Sequence, residues 1–497
     1  MSTIPFKVTP AGLRLPGSFF ELDNSQANTA QANQRALIIG QITAAGVATP
    51  NVPLISGGVG DATLQGGAGS MLATMTAAYR LNDSFGEVWY LPLADATGAT
   101  AAAGSIAFTQ APTANGTLSL YIAGQLVTVP VTAGETTAAI ATAVAAAIAL
   151  VPTMPVTAAV ATGATNTVTL TALHKGLCGN EIDIRFNYYG TKAGESTPAG
   201  LTYTITAMSG GATNPSLATA LGNLGNMTFD FIVSPYTDAA SLTSLQQFLN
   251  DQTGRWSWSS QLYGHVFMAY AGTFAAQTTL GLAQNNQHQT VMGFSGSPTP
   301  SWLWAAALGA QAAVSVRADP GVPLQYLPLR GVLAPPIQSQ FLANQRETLL
   351  YDGISTFLVQ QDGTVLTENV VTTYQLNAQG VPDNSYLEVE TMFQLMLEIR
   401  TLQAMLSSKY ARCKLANNGT RPAANSGLVT PAMIQADIIA LYQEREAAGY
   451  VQNSAAFAQA LVVNKNQTNP NRVDVLWPGT PVNQMRTFAT LVQFRLQ

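Results

Sequence analysis

The sequence predicts an α/β protein: a doubly wound core, a small α+β domain inserted into it, an α+β C-terminal domain, and an extended arm at each end. Three observations carry this prediction. Apolar strand runs alternate with amphipathic helical stretches in two separated parts of the chain, Arg35 to Asp95 and Thr228 to Val316. The interval between them is rich in Ala, Thr and Gly and has a different periodicity. Pro and Gly punctuate both ends, where a helix cannot run through.

Residues 1–30 read as an extended arm. Pro5, Pro10 and Pro16 exclude a helix, and Ile4, Phe6 and Val8 alternate as in a short strand. Residues 31–96 form the first part of the core. Ala36-Leu-Ile-Ile-Gly40 is a buried-strand run, and Ser56 to Gly69 reads as a Gly-rich loop. Ser70 can cap a helix through Leu81, because its side-chain oxygen accepts from an unpaired amide of the first turn. Leu72, Met75 and Tyr79 share one face of that helix. Glu87-Val-Trp-Tyr-Leu91 is the next strand, which completes the unit of a parallel sheet.

Residues 97–208 read as the inserted domain. Leu118–Ile122 and Gln125–Val131 form a hairpin about Ala123-Gly124, and Glu135–Leu150 is an Ala-rich helix. Further strands are expected at Pro155–Ala161, Thr167–Thr171, Ile182–Tyr189 and Leu201–Ala207. The core resumes over 209–329. Strands at Thr228–Val233, His265–Tyr270 and Gln289–Phe294 alternate with helices at Asp238–Asn250, Phe274–Ala283 and Ser301–Val316, which implies right-handed crossovers between parallel strands.

The C-terminal domain spans 330–480. Its helices are expected at Tyr386–Tyr410 and from Thr430-Pro431 to Ala448, the second opened by Thr at the N-cap and Pro at the first helical position. Residues 481–497 are the second arm, with a strand from Thr487 to Leu496 whose Phe488, Val492, Phe494 and Leu496 face one way. Pro478, Gly479 and Pro481 are expected to detach it from the body and to serve as a hinge. An apolar terminal strand carries unpaired backbone groups. Either it adds to a sheet of a neighbouring molecule or it folds back on its own domain.

Charged residues are 9% of the chain, against roughly 25% in an ordinary soluble domain. That deficit fits a membrane protein, a disordered one, or one whose surface is covered by partners. The longest helical apolar run, Ala138–Val151, falls short of the ~20 residues of a span. The opening MSTIPFKV has no signal-peptide pattern. A hydrophobic content of 47%, much of it periodic, argues against wholesale disorder. The covered surface remains. A net charge of −5 gives no basic footprint for nucleic acid. Cys178 and Cys413 match no metal or redox spacing and read as free thiols of a reducing cytosol.

Motifs for chemistry are sparse, and no catalytic, cofactor-binding or metal-ligating residue is expected. Gly57-Gly58-Val59-Gly60 lacks the third glycine of a dinucleotide fingerprint and the ending of a P-loop. His174, His265 and His288 are the only histidines, and none has zinc-site spacing. A hydrolase with its triad in the order Asp230, His265, Ser295 is one alternative, but Gly293-Phe-Ser-Gly296 is not a nucleophile elbow. A capsid or adhesin-like surface protein is another. Glu444-Arg445-Glu446 reads as a solvated helix face or a face turned to a partner.

A run of motifs in the C-terminal third resembles the tail sheath family of Mu-type contractile phages. The run comprises Arg330-Gly-Val-Leu-Ala-Pro-Pro336, Arg346-Glu-Thr-Leu-Leu-Tyr-Asp-Gly-Ile354, Thr372-Thr-Tyr374, Gly380-Val-Pro-Asp-Asn-Ser-Tyr-Leu387 and Val389-Glu-Thr391. Lys414-Leu-Ala416 and Val429-Thr-Pro431 are similar too, as are His174-Lys-Gly176 and Gly179-Asn-Glu-Ile182 in the insertion. The resemblance covers essentially the whole chain. It implies a core of subtilisin-like topology without a protease triad. It also implies a non-enzymatic subunit that stacks as hexameric rings around a tail tube and contracts to drive the tube through the host envelope. Its implied partners are further copies of itself, the tube protein, and base plate and tail terminator proteins; nucleic acid and membrane insertion are not implied. The implied place is the virion tail, with assembly in the host cytoplasm. On this resemblance the arms join neighbouring subunits through Phe6, Val8, Phe488, Val492 and Phe494, while the C-terminal domain, with Glu444, Arg445 and Glu446, faces the tube and the insertion faces outward.

Overall fold

The computed structural model describes residues 34–421, 423 and 426–496. The expected strand around Phe6 and Val8 lies outside them. All six residues of β1 (Ala36–Gln41) are buried, as a strand covered on both faces requires. β2 (Leu54–Ile55) follows. Within the expected Gly-rich loop lies a helix, α1 (Val59–Gly66). Its glycines lower helix propensity, but Asp61 Oδ2 accepts from the Gly57 amide at 2.8 Å and fixes the entry. α2 (Met71–Asn82) starts where Ser70 Oγ accepts from the Ala73 amide, and β3 (Val88–Leu93) completes this part.

The insertion comprises β4 (Ala101–Gln110), β5 (Gly116–Ile122), β6 (Gln125–Val131), α3 (Thr137–Ala149), β7 (Val156–Ala161), β8 (Ala164–Lys175), β9 (Ile184–Phe186) and β10 (Thr202–Ser209). Its sheets have the orders β10-β4-β8-β7 and β6-β5-β9. The β5–β6 turn places Ala123 at φ 50° and Gly124 at φ 79°, the backbone of a tight hairpin turn. The sequence did not suggest β4, whose first half is Ala, Gly and Ser, residues with little strand preference. It is held by alternation, with Ala102, Gly104, Ile106 and Phe108 inward.

The core resumes with α4 (Ala218–Gly222), β11 (Phe231–Val233), α5 (Ala239–Leu249), β12 (His265–Ala271), α6 (Phe274–Leu282), β13 (Gln289–Phe294) and α7 (Ser301–Ala318), then α8 (Ala343–Tyr351), β14 (Ile354–Val359) and β15 (Val365–Asn369). The main sheet runs β15-β14-β13-β12-β11-β1-β3-β2. Strands from β14 to β3 are parallel, and the two edge strands are antiparallel. The sheet thus takes two strands from beyond Leu329, where the sequence changes texture.

Helices cover both faces. Gly40 on β1 and Val233 on β11 meet α2 and α7, whereas Ile232 and Gly293 meet α5 and α6. α7 is buried nearly all round, between the sheet and α2.

The C-terminal part contains α9 (Val389–Tyr410), β16 (Lys414–Leu415), β17 (Leu428–Val429), α10 (Pro431–Ala447), β18 (Val451–Gln452), α11 (Ser454–Ala460), β19 (Val462–Lys465), β20 (Val473–Leu476) and β21 (Thr480–Pro481). It has its own small core, in which Tyr442 stacks on Phe457 with centroids 3.7 Å apart. α9 binds it to the main sheet. Phe393 stacks on Phe231 at 5.1 Å, and Arg400 pairs with Asp230 at 2.6 Å.

Candidate functional site

The C-terminal segment is held to the body further than its Pro and Gly residues suggest. β21 pairs with β18, and Tyr442 Oη accepts from the Thr480 amide at 2.9 Å. Gln394 Nε2 donates to the Val482 carbonyl at 3.1 Å. The last tether among the described residues is Arg486, which reaches Glu390 at 2.7 Å, Glu388 at 2.9 Å and the side-chain oxygen of Asn369. The chain therefore leaves the body after Arg486, not at Pro478–Pro481. Beyond it, 487–496 form neither strand nor helix, and Phe488 (80% exposed), Val492 (78%) and Phe494 (80%) project into solvent. The strand expected over Thr487–Leu496 is not formed in the single chain. A strand needs a ladder partner, and the arm has none among the described residues.

Glu444, Arg445 and Glu446 do not share a fate. Glu444 is exposed. Arg445 turns inward, donating to Glu398 Oε1 at 2.7 and 2.9 Å and lying over the Tyr450 ring at 3.9 Å. Glu446 Oε1 accepts from the Ser454 amide at 2.9 Å and so caps α11.

Of the residues considered for a hydrolase, Asp230 and His265 stand on neighbouring strands, the His265 amide donating to the Asp230 carbonyl at 2.9 Å, whereas Ser295 is kept apart from them by the sheet. β12 and β13 are parallel, with Val266 opposite Gln289 and Ala271 opposite Phe294. His265 therefore opens one strand, while Ser295 follows the far end of the next. At ~3.3 Å per residue they are roughly 20 Å apart. Burial holds the His265 imidazole well below its ordinary pKa, and its Nε2 lies 2.8 Å from Thr290 Oγ1. Asp230 is committed to Arg400; its burial outweighs that ion pair and raises the carboxyl. The amides of the Gly57-Gly58 turn are likewise spent, on Asp61 and Ser56.

In a doubly wound sheet, ligands bind beyond the carboxyl ends of the strands, where the strand order reverses. Here it reverses at β1, with β3 on one side and β11 on the other. The inserted domain fills that crevice with its own residues. Gln41 Nε2, at the end of β1, donates to the Lys175 carbonyl at 2.8 Å and to Asp95 Oδ1 at 2.7 Å. The Lys175 amide donates to Asp95 Oδ2 at 3.1 Å, and Cys178 Sγ reaches the Pro235 carbonyl at 3.7 Å. The start of α2, where amides would favour an anion, is taken by His174, whose Nε2 accepts from the Met71 amide at 2.9 Å. At the start of α7 the Glu181 carboxyl faces the amide and hydroxyl of Ser301, and burial pushes it up to about 7. The void left is ≈ 20 Å³, lined by Gln41, Met71, His174, Cys178 and Trp302 among others, too small for a substrate. No role for His174 or Glu181 is legible in the sequence, because their partners stand on the other side of a domain boundary.

The chain matches two family descriptions, phage tail sheath protein central domain over residues 210–373 and phage tail sheath C-terminal domain over residues 381–495. It is 37% identical over 496 residues to the Mu-like prophage FluMu tail sheath protein of Haemophilus influenzae, spanning 99% of this chain and 100% of that one. Among solved structures it is similar to a sheath tail protein of Desulfitobacterium hafniense, at 13% identity and a TM-score of 0.47, over 94% of this chain and 97% of that one. It is also similar to the helical sheath of the anti-feeding prophage in its contracted state, at 11% identity and a TM-score of 0.45, over 98% and 99% of the two chains.

Proposed function

The chain belongs to the phage tail sheath family and is a structural, non-enzymatic subunit of Mu type; from that premise we propose that it stacks as hexameric rings around a tail tube and contracts to drive the tube through the host envelope. The observation that carries this reading is the arm. Ten residues, 487–496, leave the body with Phe488, Val492 and Phe494 exposed and no ladder partner among the described residues. A lone monomer gains nothing from such a segment, whereas a neighbouring sheet would satisfy its backbone and cover its side chains.

A receiving edge is available in the same fold. β19 and β20 form a two-stranded hairpin with exposed Val462, Val475 and Leu476, and no third strand pairs with it among the described residues. The main sheet offers less at β15, whose outer edge already bonds to Tyr326, Leu327 and Leu329. In this reading the arms of neighbouring copies, through Phe6, Val8, Phe488, Val492 and Phe494, extend the hairpin into a shared sheet. The subunits then stay linked while their bodies reorient.

The remaining partners follow from the same reading. The C-terminal domain lies toward the tube protein, with Glu444 the residue of its trio free to touch it. The insertion, 97–208, lies outward. Base plate and terminator proteins close the two ends, without nucleic acid or membrane insertion, and assembly takes place in the host cytoplasm. The main sheet is read as subtilisin-like in topology, without a triad. The arms are 1–30 and, of the expected 481–497, the part beyond Arg486. The core combines 31–96 with 209–329 and continues to about residue 370, because β14 and β15 belong to its sheet.

Negative-stain electron microscopy of the concentrated protein, with and without added salt, tests the proposal. Hollow cylinders with ring striations are expected. Closed shells or solid fibres would overturn it in favour of a capsid or adhesin-like protein.

A further inference from the structure

We infer that residues 174–188 are a built-in plug that seats the inserted domain on the core as one body, with His174 as a pin that holds only while its imidazole is neutral.

The plug is made of bonds that cross the domain boundary. Besides those of His174, Lys175 and Cys178, Arg185 Nη2 donates to the Gly296 carbonyl at 3.0 Å and Tyr188 Oη to the Ala334 carbonyl at 2.6 Å. These acceptors lie beyond β13 and before α8, on different parts of the core. An insertion tied at so many separate points has little freedom to swing.

His174 is distinct among these bonds because its role depends on protonation. Ser70 serves the Ala73 amide, so the Met71 amide in the first turn of α2 needs another acceptor, and His174 Nε2 supplies it in a buried setting. A ring nitrogen accepts only through its free lone pair. The proton of the neutral ring therefore sits on Nδ1, which lies 3.4 Å from Asp95 Oδ1. A second proton on Nε2 would set N–H against N–H and place a positive charge at the positive end of the α2 dipole. Asp95 would attract the charged ring, but it already accepts from Gln41 and Lys175 and keeps its place without the Met71 bond.

The other titratable or charged groups in and beside the crevice behave differently. Burial pushes the Cys178 thiol and the Tyr236 phenol far up, so both stay neutral. Asp95 stays ionised: burial opposes this, but its bonds with His174, Lys175 and Gln41 hold it below the usual carboxylate range. The Lys175 side chain is exposed. Glu181 is pushed up to about 7 and can itself take a proton as the pH falls, so its charge must be fixed separately.

The test is hydrogen exchange on the full chain between pH 5 and 8, corrected for intrinsic rates, followed over residues 70–73. In the native protein, protection there should fall roughly tenfold on acidification, the scale of one lost hydrogen bond. His174→Gln keeps an acceptor that does not titrate, and its protection should stay level. Glu181→Gln should keep the acid-induced loss. A level profile in the native protein overturns the inference whether or not the variants fold, and so does a His174→Gln profile that follows the native one.

Discussion

Arg486 Nη2 lies 2.7 Å from Glu390 Oε2, and at that ion pair the C-terminal segment stops belonging to the folded body. Glu390 is fully buried and also accepts from the Leu324 amide. Burial raises its pKa and lifts Glu388 to about 7, against the pull of Arg486. Arg486→Ala would leave this pair of carboxylates without a cation. Breaking a fully buried pair costs ~3–5 kcal/mol, but here a carboxyl can take up a proton, so a loss of about 2–3 kcal/mol is expected. Urea unfolding would measure it. Limited proteolysis should show cleavage spreading from 487 back toward Val482, and an unchanged pattern would mean that the segment is anchored elsewhere.

Removing Thr487–Gln497 should act on assembly alone. Residues 487–496 make no secondary structure with the body, and their apolar side chains are exposed. The thermal midpoint of the monomer should stay within a degree or so, because deleting exposed residues costs little. Cylinder formation, followed by light scattering and microscopy, should be lost. Normal polymers from the truncated chain would sink the role given to the arm.

How far these features could be read in the sequence depended on whether their causes were local. β1, β13 and α7 are continuous apolar or amphipathic runs, and α2 and α10 carry caps that a short window contains. α1 hid among glycines, and β4 among residues with little strand preference. β14 and β15 have no comparable local signal, because their membership of the main sheet depends on the Val291–Ile354 pairing, a contact between distant parts of the chain. The arm was legible as apolar and terminal, but its point of departure was not. Pro478 and Gly479 point to a hinge, whereas the bonds of Thr480, Val482 and Arg486 carry the anchor onward. The bond between Met71 and His174 spans 103 positions and has no signature in either neighbourhood.

Glu181 makes a prediction whose sign depends on pH. In the fold its pKa is pushed up to about 7 from an ordinary 4.5, chiefly by burial. The folded chain therefore holds the proton more tightly than the unfolded one. The stabilisation this gives is present below the ordinary value and is lost as pH rises through about 7. Glu181→Gln stays neutral throughout. Its thermal midpoint relative to the native protein should rise between pH 5 and pH 8, by an amount on the order of 1–3 kcal/mol in stability. A difference that is constant with pH would show that the carboxyl is better solvated than its position beside Ser301 suggests.

At Gly40 the backbone of α2 comes close against β1. A Cβ built there would stand 2.9 Å from Leu72 Cα and 3.0 Å from its backbone nitrogen. Both are main-chain atoms, so no rotamer change relieves the contact. Gly40→Ala must push α2 off β1, and α2 packs in turn on α7 through residues buried on both helices. Overpacking of this kind costs ~1–3 kcal/mol, more than the backbone-entropy gain of ~0.4–1 kcal/mol that alanine brings at an unstrained site. A net loss of about 1–2 kcal/mol is therefore expected in chemical unfolding. Because the displaced helix also presents the Met71 amide to His174, the same variant should weaken protection at the start of α2 at neutral pH, where the pin is otherwise closed. Lost stability with full protection would place the strain in the sheet instead of the helix.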